Sequence, residues 1–383
     1  MEECSGPLKR RKMTRDDPLS NLRTPCYVVD LAVARANANR MIATANAHGV
    51  QLRPHVKTHK TLECGSIQTG GTKRRIVVST LAEASFFADG GFDDIIYAVP
   101  ITPDKLPEAA SLTARLEAFH VLVDHEVQCD ALLAHPAPAE SKPWRVVMMV
   151  DCGYHRDGVD PHDEASLALA KRIADAPTAL FAGVYTHGGH SYDAGSVEDV
   201  VKIAELERDA VVQFAAKLKN IGIPCDIVGV GSTPTCSNPP ASLKGVTEMH
   251  PGNYVYYDWM QVQLGSCRAE DVAVRVCTRI IGQYPKQNML LIDMGWTGIS
   301  KQGSEHGYGF IDGHPELKIK TLKQEAGEVE SRDGSPLDFQ EYPIGSILRI
   351  IPYHSCASSH QHTFVHVLED GKVVGCWKQT RGW

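Results

Sequence analysis

Gln51-Leu52-Arg53-Pro54-His55-Val56-Lys57-Thr58-His59-Lys60 alternates basic with apolar residues. Read as an extended segment, it puts Arg53, His55, Lys57 and His59 on one face and Leu52, Pro54 and Val56 on the other. A strand packed on a core does not carry unpaired cations, because burying a lone ammonium costs more than the strand gains. An anionic or electrophilic ligand accounts for them. A lysine crowded by cations and partly desolvated gives up its proton more readily and becomes an amine nucleophile or base. Pyridoxal phosphate, with an aldehyde for the amine and a phosphate for the cations, meets both demands. An exposed basic edge strand is the plainer alternative.

Outward from this stretch the chain keeps one rhythm. A strand is expected over 24–30 and a helix over 31–48. Apolar runs at 50–57, 75–80, 95–100, 118–124, 145–151, 180–186, 225–229 and 245–249 alternate with amphipathic segments such as 81–90, 165–176 and 197–221. Eight strands in regular βα alternation predict a (β/α)8 barrel of the α/β class. A doubly wound sheet would need a switch point and usually a glycine fingerprint in its first βα turn, and the sequence offers neither. Beyond about residue 262 the texture becomes strand-like, at 272–281, 289–293, 345–352, 363–368 and 373–377, which predicts a smaller, mostly β domain. The expected organisation is a disordered tail over 1–20, a barrel over 21–262 and a β domain over 263–383, with the 24–30 strand a candidate to pair with the β domain.

The composition is that of an ordinary soluble chain, 43% apolar and 22% charged over 383 residues. A net charge of −7 argues against nucleic acid as the main partner. No apolar run is long enough to span a bilayer, and the polar start lacks the apolar stretch of a signal peptide. Lys9-Arg10-Arg11-Lys12 reads either as a nuclear address or as incidental charge in a tail. Eleven cysteines without CxxC pairs point to reduced thiols and a cytoplasmic location.

Polar and glycine-rich residues cluster just after the expected strands, where barrel active sites lie. Gly229-Val230-Gly231-Ser232-Thr233-Pro234-Thr235 offers amides and hydroxyls that suit a phosphate or an ordinary turn. His250-Pro251-Gly252-Asn253-Tyr254 follows the eighth strand and adds amides beside a tyrosine. Tyr185 to Tyr192 holds two tyrosines, His187 and His190, which either bind a cofactor ring, relay protons, or serve the fold. Arg156 suits a phenolate or substrate carboxylate, or a structural pair with Asp151 or Asp157. His354-Ser355-Cys356 follows an apolar strand; if extended, its imidazole and thiolate point the same way and fit half of a tetrahedral zinc site. His360, His362 and Asp293 are further candidate ligands.

Together these segments resemble the fold-type III pyridoxal-phosphate enzymes, the alanine racemase-like class, and within it the eukaryotic zinc-dependent D-serine dehydratases and the related metal-dependent D-threonine aldolases. The likeness runs from about Leu22 to the C-terminus and rests on Arg53 to Lys60, Tyr185 to His190, Gly229 to Pro234, His250 to Tyr254, Asp293-Met294-Gly295-Trp296-Thr297 and Pro352 to Cys356. The resemblance implies a lyase of D-amino acid metabolism that dehydrates D-serine to pyruvate and ammonia. Lys57 would be the Schiff-base lysine and Cα base. Tyr185, Tyr192, Gly231, Ser232, Thr233, Gly252, Asn253 and Tyr254 would bind the cofactor. His354 and Cys356 would hold Zn²⁺, which acts on the β-hydroxyl. Tyr353 departs from the asparagine many relatives carry there. The resemblance also implies a homodimer. The alternatives are a D-threonine aldolase, a pyridoxal-phosphate carrier without catalysis, against which the β domain counts, and a racemase, which needs a second base.

Overall fold

The computed structural model describes residues 18–136, 138, 139 and 142–383, which divide into two compact units. One unit holds the chain through Asn37 together with Val255–Gln379; the other holds Ala38–Tyr254 with Thr380–Trp383. The basic cluster at Lys9 to Lys12 lies outside the described residues. The expected tail over 1–20 is too long at its end: Leu19 is buried with Cys26, Val28, Cys277 and Ile347, and the Arg279 guanidinium donates to the Ser20 and Leu22 carbonyls at 2.6 and 3.0 Å. An apolar side chain followed by bonded carbonyls makes these residues part of the β unit.

The chain enters with β1 (Cys26–Asp30) and α1 (Leu31–Ala47). The second unit then lays down β2 (Gln51–Leu52), β3 (Ile76–Val78), β4 (Asp94–Pro100), β5 (Ala118–Val123), β6 (Trp144–Met149), β7 (Ala179–Tyr185), β8 (Ile227–Val230) and β9 (Glu248–Met249). All are parallel, in the order β2-β9-β8-β7-β6-β5-β4-β3. The two edges meet at a parallel bridge between His55 and Val77, where the Val77 amide donates to the Pro54 carbonyl at 2.9 Å. This contact closes the sheet into a barrel of the α/β class. Val77, Ile96, Leu122, Val147, Met149, Ala182, Tyr185 and Ile227 fill it, contributed by successive strands as the two-residue pleat requires.

Between the strands run α2 (Leu62–Gln68), α3 (Leu81–Asp89), α4 (Leu106–Arg115), α5 (Glu126–Ala134), α6 (Glu164–Ala174), α7 (Val197–Asn220) and α8 (Thr233–Ser237). Side-chain oxygens of Thr80, Asp163, Ser196 and Ser232 cap four of them, fixing where each helix starts after its strand.

The expected strand over 50–57 is a correction. The regular strand ends at Leu52, the Arg53 and His55 amides still donate to the Met249 and Pro251 carbonyls at 2.9 Å, and Val56–Thr58 then forms one 3₁₀ turn. From Val56 on the residues therefore do not alternate between two faces.

The other unit continues with α9 (Trp259–Gln263), β10 (Val274–Tyr284), β11 (Met289–Ile292), β12 (Gly309–Ile311), β13 (Leu317–Leu322), β14 (Gly327–Ser331), β15 (Ile347–Pro352), α10 (Ser355–Ser359), β16 (Phe364–Glu369) and β17 (Lys372–Lys378). Its nine strands run in the order β13-β14-β11-β10-β1-β16-β17, with β15 also on β10 and β12 on β15. β1 lies antiparallel to β10 and parallel to β16. Among the described residues no helix is long and apolar enough to cross a membrane.

Candidate active site

The basic residues of the opening stretch part company in the structure. Arg53 is buried with its guanidinium 2.7 Å from both Glu248 and Asp94. Lys60 is buried against Glu83 at 2.8 Å. The His59 ring lies between Thr61, at 3.2 Å, and Gln68, at 2.7 Å. These three are satisfied by the protein, so the face of free cations expected from alternation does not exist. His55 and Lys57 remain for the site.

Lys57 sits in the 3₁₀ turn just past β2, and its amide donates to His55 Nδ1 at 3.3 Å. Its charge reaches three imidazoles, those of His55 and His250 buried and that of His187 half-buried. His55 is held well below the usual histidine range, first by burial and then by Lys57, with His250, His187 and Lys60 adding to it. His187 falls to about 3 by burial and by Lys57, against the pull of its bond to the Gly231 carbonyl. His250 is lowered chiefly by burial, with His187, Arg53 and Lys57 in support and its bond to the Thr186 carbonyl opposed. Three neutral rings thus share the surroundings of one amine, kept uncharged by burial and by the Lys57 charge.

The rings are fixed. His187 Nδ1 donates to the Gly231 carbonyl at 2.8 Å and His250 Nε2 to the Thr186 carbonyl at 2.7 Å. Both assignments follow from the carbonyl accepting only. Tyr185, at the end of β7, stacks on His250 with ring centroids 3.7 Å apart and 12° between planes. Burial pushes the Tyr185 phenol well above its ordinary value, so it stays neutral. Tyr192 approaches the same group, its ring 6.4 Å from that of His187.

The loops after β8 and β9 supply donors. Gly231 has φ +150°, and a Cβ there would lie 2.9 Å from the His250 nitrogen and 3.0 Å from Cys236 Sγ, so only glycine lets the two loops approach. Ser232 caps α8, and Thr233 is its first residue, whose amide no intrahelical bond takes. The Asn253 amide donates to Thr233 Oγ1 at 3.0 Å, tying Gly252-Asn253-Tyr254 to Gly231-Ser232-Thr233. Ser232, Thr233, Asn253 and Tyr254 are all buried. A cradle of amides and buried hydroxyls at a strand end, near a lysine, is the donor set that a phosphate with a reactive aldehyde requires. Arg156 pairs with Asp157 at 3.2 Å and lies over the Tyr154 ring, the structural alternative of the two read from sequence.

His354 and Cys356 lie in the β unit. The expectation that both point the same way from an extended chain is corrected: His354 is extended, but Ser355–Ser359 is helical, so Cys356 stands in the first turn of α10. His354 Nδ1 is 2.6 Å from Gln302 Oε1, an acceptor, so Nδ1 carries the proton of that contact. Imidazole and thiolate are donors that zinc takes, and their types fit it. Among the described residues no group of three or more His, Cys, Asp or Glu is placed to hold a metal ion. Asp293 accepts from Thr278 and the Arg279 amide, and the His362 ring is bonded to the Gly298 carbonyl; both serve the fold. Tyr353 stacks on His306, ring centroids 5.2 Å apart.

The family model of the alanine racemase N-terminal domain matches residues 29–258, and a serine dehydratase domain model matches residues 273–368. This chain belongs to the alanine racemase-like family. It is 37% identical to a D-serine dehydratase of Dictyostelium discoideum, over 96% of this chain and 99% of that protein. It is 35% identical to a D-threo-3-hydroxyaspartate dehydratase of Delftia, over 96% and 100%. The solved structure of the Delftia enzyme superposes with a TM-score of 0.91, covering 96% of this chain and 100% of that one, and a variant of it in the metal-free form superposes equally.

Two residues of this family member escape a reading by motif. Gln302 carries no signal in the sequence. Glu207 does: it interrupts the buried stripe Val200, Ala204, Val211, Phe214 and Leu218 on α7.

Proposed function

We propose that this alanine racemase-like chain uses pyridoxal phosphate and zinc to eliminate water from D-serine, giving pyruvate and ammonia. The observation that carries the reading is Lys57 among three neutral imidazoles, together with the tied donor loops at Gly231 to Thr233 and Gly252 to Tyr254. The substrate follows from the relatives named D-serine dehydratase, at 37% and 30% identity.

When bound, pyridoxal phosphate supplies an electron sink for the Cα carbanion. His354 and Cys356 would hold zinc, which would supply a Lewis acid for the β-hydroxyl, a poor leaving group. Lys57 Nζ holds the cofactor at rest and takes the Cα proton of the substrate in the reaction. The imidazoles of His55, His187 and His250 stay neutral around Lys57 and add no positive charge to the site. Ser232, Thr233 and the amides of Gly252 and Asn253 orient the phosphate, and Tyr185 and Tyr192 pack beside the ring. Loss of water leaves an enamine that hydrolyses to pyruvate and ammonia. The cytoplasm, where thiols stay reduced, is the proposed location, and a homodimer the proposed assembly.

The test separates cofactor from metal. Lys57→Ala is expected to lose the absorbance of lysine-bound pyridoxal phosphate, whereas His354→Ala and Cys356→Ala keep it and lose dehydration. A fully active Cys356→Ala enzyme overturns the role of zinc; an unchanged spectrum in Lys57→Ala overturns that of Lys57.

A further inference from the structure

A carboxylate in the middle of an apolar helix face demands an explanation, since burying it costs stability unless partners repay the loss. Glu207 is 1% exposed, at the level of Val211 and Phe214 on the same stripe of α7. Its partners all come from the segments that follow β7 and β8. Oε1 accepts the Gly188 amide at 2.6 Å and the Gly231 amide at 2.9 Å. Oε2 accepts the Thr235 hydroxyl at 2.9 Å.

From Thr235 the connection runs on. Thr235 Oγ1 accepts the Ser232 amide at 3.0 Å, and Ser232 Oγ lies 2.8 Å from Ser191 Oγ in the loop that follows Gly188. A Cβ on Gly188 would come within 3.1 to 3.2 Å of the Glu207 carboxyl, so the loop backbone needs glycine to reach it. One side chain therefore fixes the loop after β7, which carries His187 and Tyr192, and the loop after β8, which carries Ser232 and Thr233. The His187 ring, bonded to the Gly231 carbonyl, is held by the same arrangement.

We infer that Glu207 is a positioning residue for the cofactor phosphate, acting through Gly231, Ser232 and Thr235 without touching the ligand. This deepens the proposed function, because it rests on reading Gly231 to Thr233 as part of the phosphate cradle. The chemistry gives a selective consequence. Loss of the carboxylate misplaces phosphate donors but leaves the Lys57 amine where it is, so binding of pyridoxal phosphate should suffer and binding of pyridoxal, which lacks the phosphate, should not.

The full-length chain freed of cofactor is titrated with pyridoxal phosphate and separately with pyridoxal, read by absorbance, with inorganic phosphate as competitor. Glu207→Gln keeps the size of the side chain and lets Oε1 accept, but puts an amide nitrogen against the Thr235 hydroxyl. Pyridoxal phosphate is expected to bind about tenfold more weakly in the variant and pyridoxal within about twofold of the native chain, the size of effect that one charge-assisted hydrogen bond carries. Equal weakening of both ligands, or none, overturns the inference. If in the native chain inorganic phosphate does not compete and the phosphate adds no affinity over pyridoxal, the cradle itself is misread and the role of Glu207 falls with it. Should Glu207→Gln not fold, Thr235→Val removes the hydroxyl at the other oxygen and is read by the same two ligands.

Discussion

At the scale of the residue, the structure separates cations that serve the fold from those that serve chemistry. Arg53 is shared between Glu248 and Asp94, with 3% of its side chain exposed. The Asp94 carboxyl is lowered despite its burial, through His120 and Arg53. Arg53→Ala strands two buried carboxylates and is expected to destabilise the chain by about 3–5 kcal/mol, measured as the shift in the denaturant midpoint. A loss below about 1 kcal/mol, the worth of a surface pair, would show that the network is solvated. The sequence carried the identity of these residues but not their fates. Arg53 and Lys60 looked like ligand cations because their partners, Glu248 and Glu83, lie on other elements, and spacing along one segment cannot reveal a partner nearly two hundred positions away. The position of Lys57 was legible because it follows a strand in a barrel, where chain position alone fixes the end at which a residue emerges.

At the scale of the element, α7 shows what a helix gives up for the loops it supports. Burial pushes Glu207 up to about 7 from its ordinary 4.5, while its bonds to the Gly231 and Gly188 amides and Thr235 pull the other way. Cys152, Tyr185 and Cys236 near it are themselves pushed up by burial and stay neutral, so Glu207 is the group that changes charge there around pH 7. The folded form holds its proton where the unfolded chain has released it. Stability contributed by this residue is thus greatest below about pH 4.5 and is lost as pH rises toward 7, by roughly 3 kcal/mol at about 1.4 kcal/mol per pH unit. Melting temperatures of native chain and Glu207→Gln are expected to converge near pH 5, to separate as pH rises to about 7 with the native chain falling faster, and to keep a constant gap above that. Parallel curves would contradict the burial of a titrating carboxylate. The eight barrel strands were legible as apolar runs, but their ends were not: the run over 50–57 turns into a 3₁₀ helix at Val56–Thr58, and its regular strand is Gln51–Leu52. In the β unit the strands Gly309–Ile311, Leu317–Leu322 and Gly327–Ser331 escaped, being short, with Lys and Glu on the partly exposed side. His354 and Cys356 were legible as residue types that zinc takes, while their placement depended on a helix start at Ser355 that the residues after His354 do not announce.

At the scale of the whole molecule, the barrel brings lysine, imidazoles and phosphate donors to one end of a parallel sheet, and the β unit presents an imidazole and a thiolate with one ring nitrogen already engaged by Gln302. Family members that share this plan include dehydratases and, at 29% identity, a D-threonine aldolase of Arthrobacter, so fold alone does not choose the bond that breaks. The choice rests on what leaves the β-carbon. Purified protein is given D-serine, L-serine or D-threonine, before and after chelation and zinc add-back, and pyruvate and glycine are measured. Pyruvate from D-serine and not L-serine, abolished by chelation and restored by zinc, is the expected result; glycine from D-threonine with no pyruvate from D-serine would contradict it.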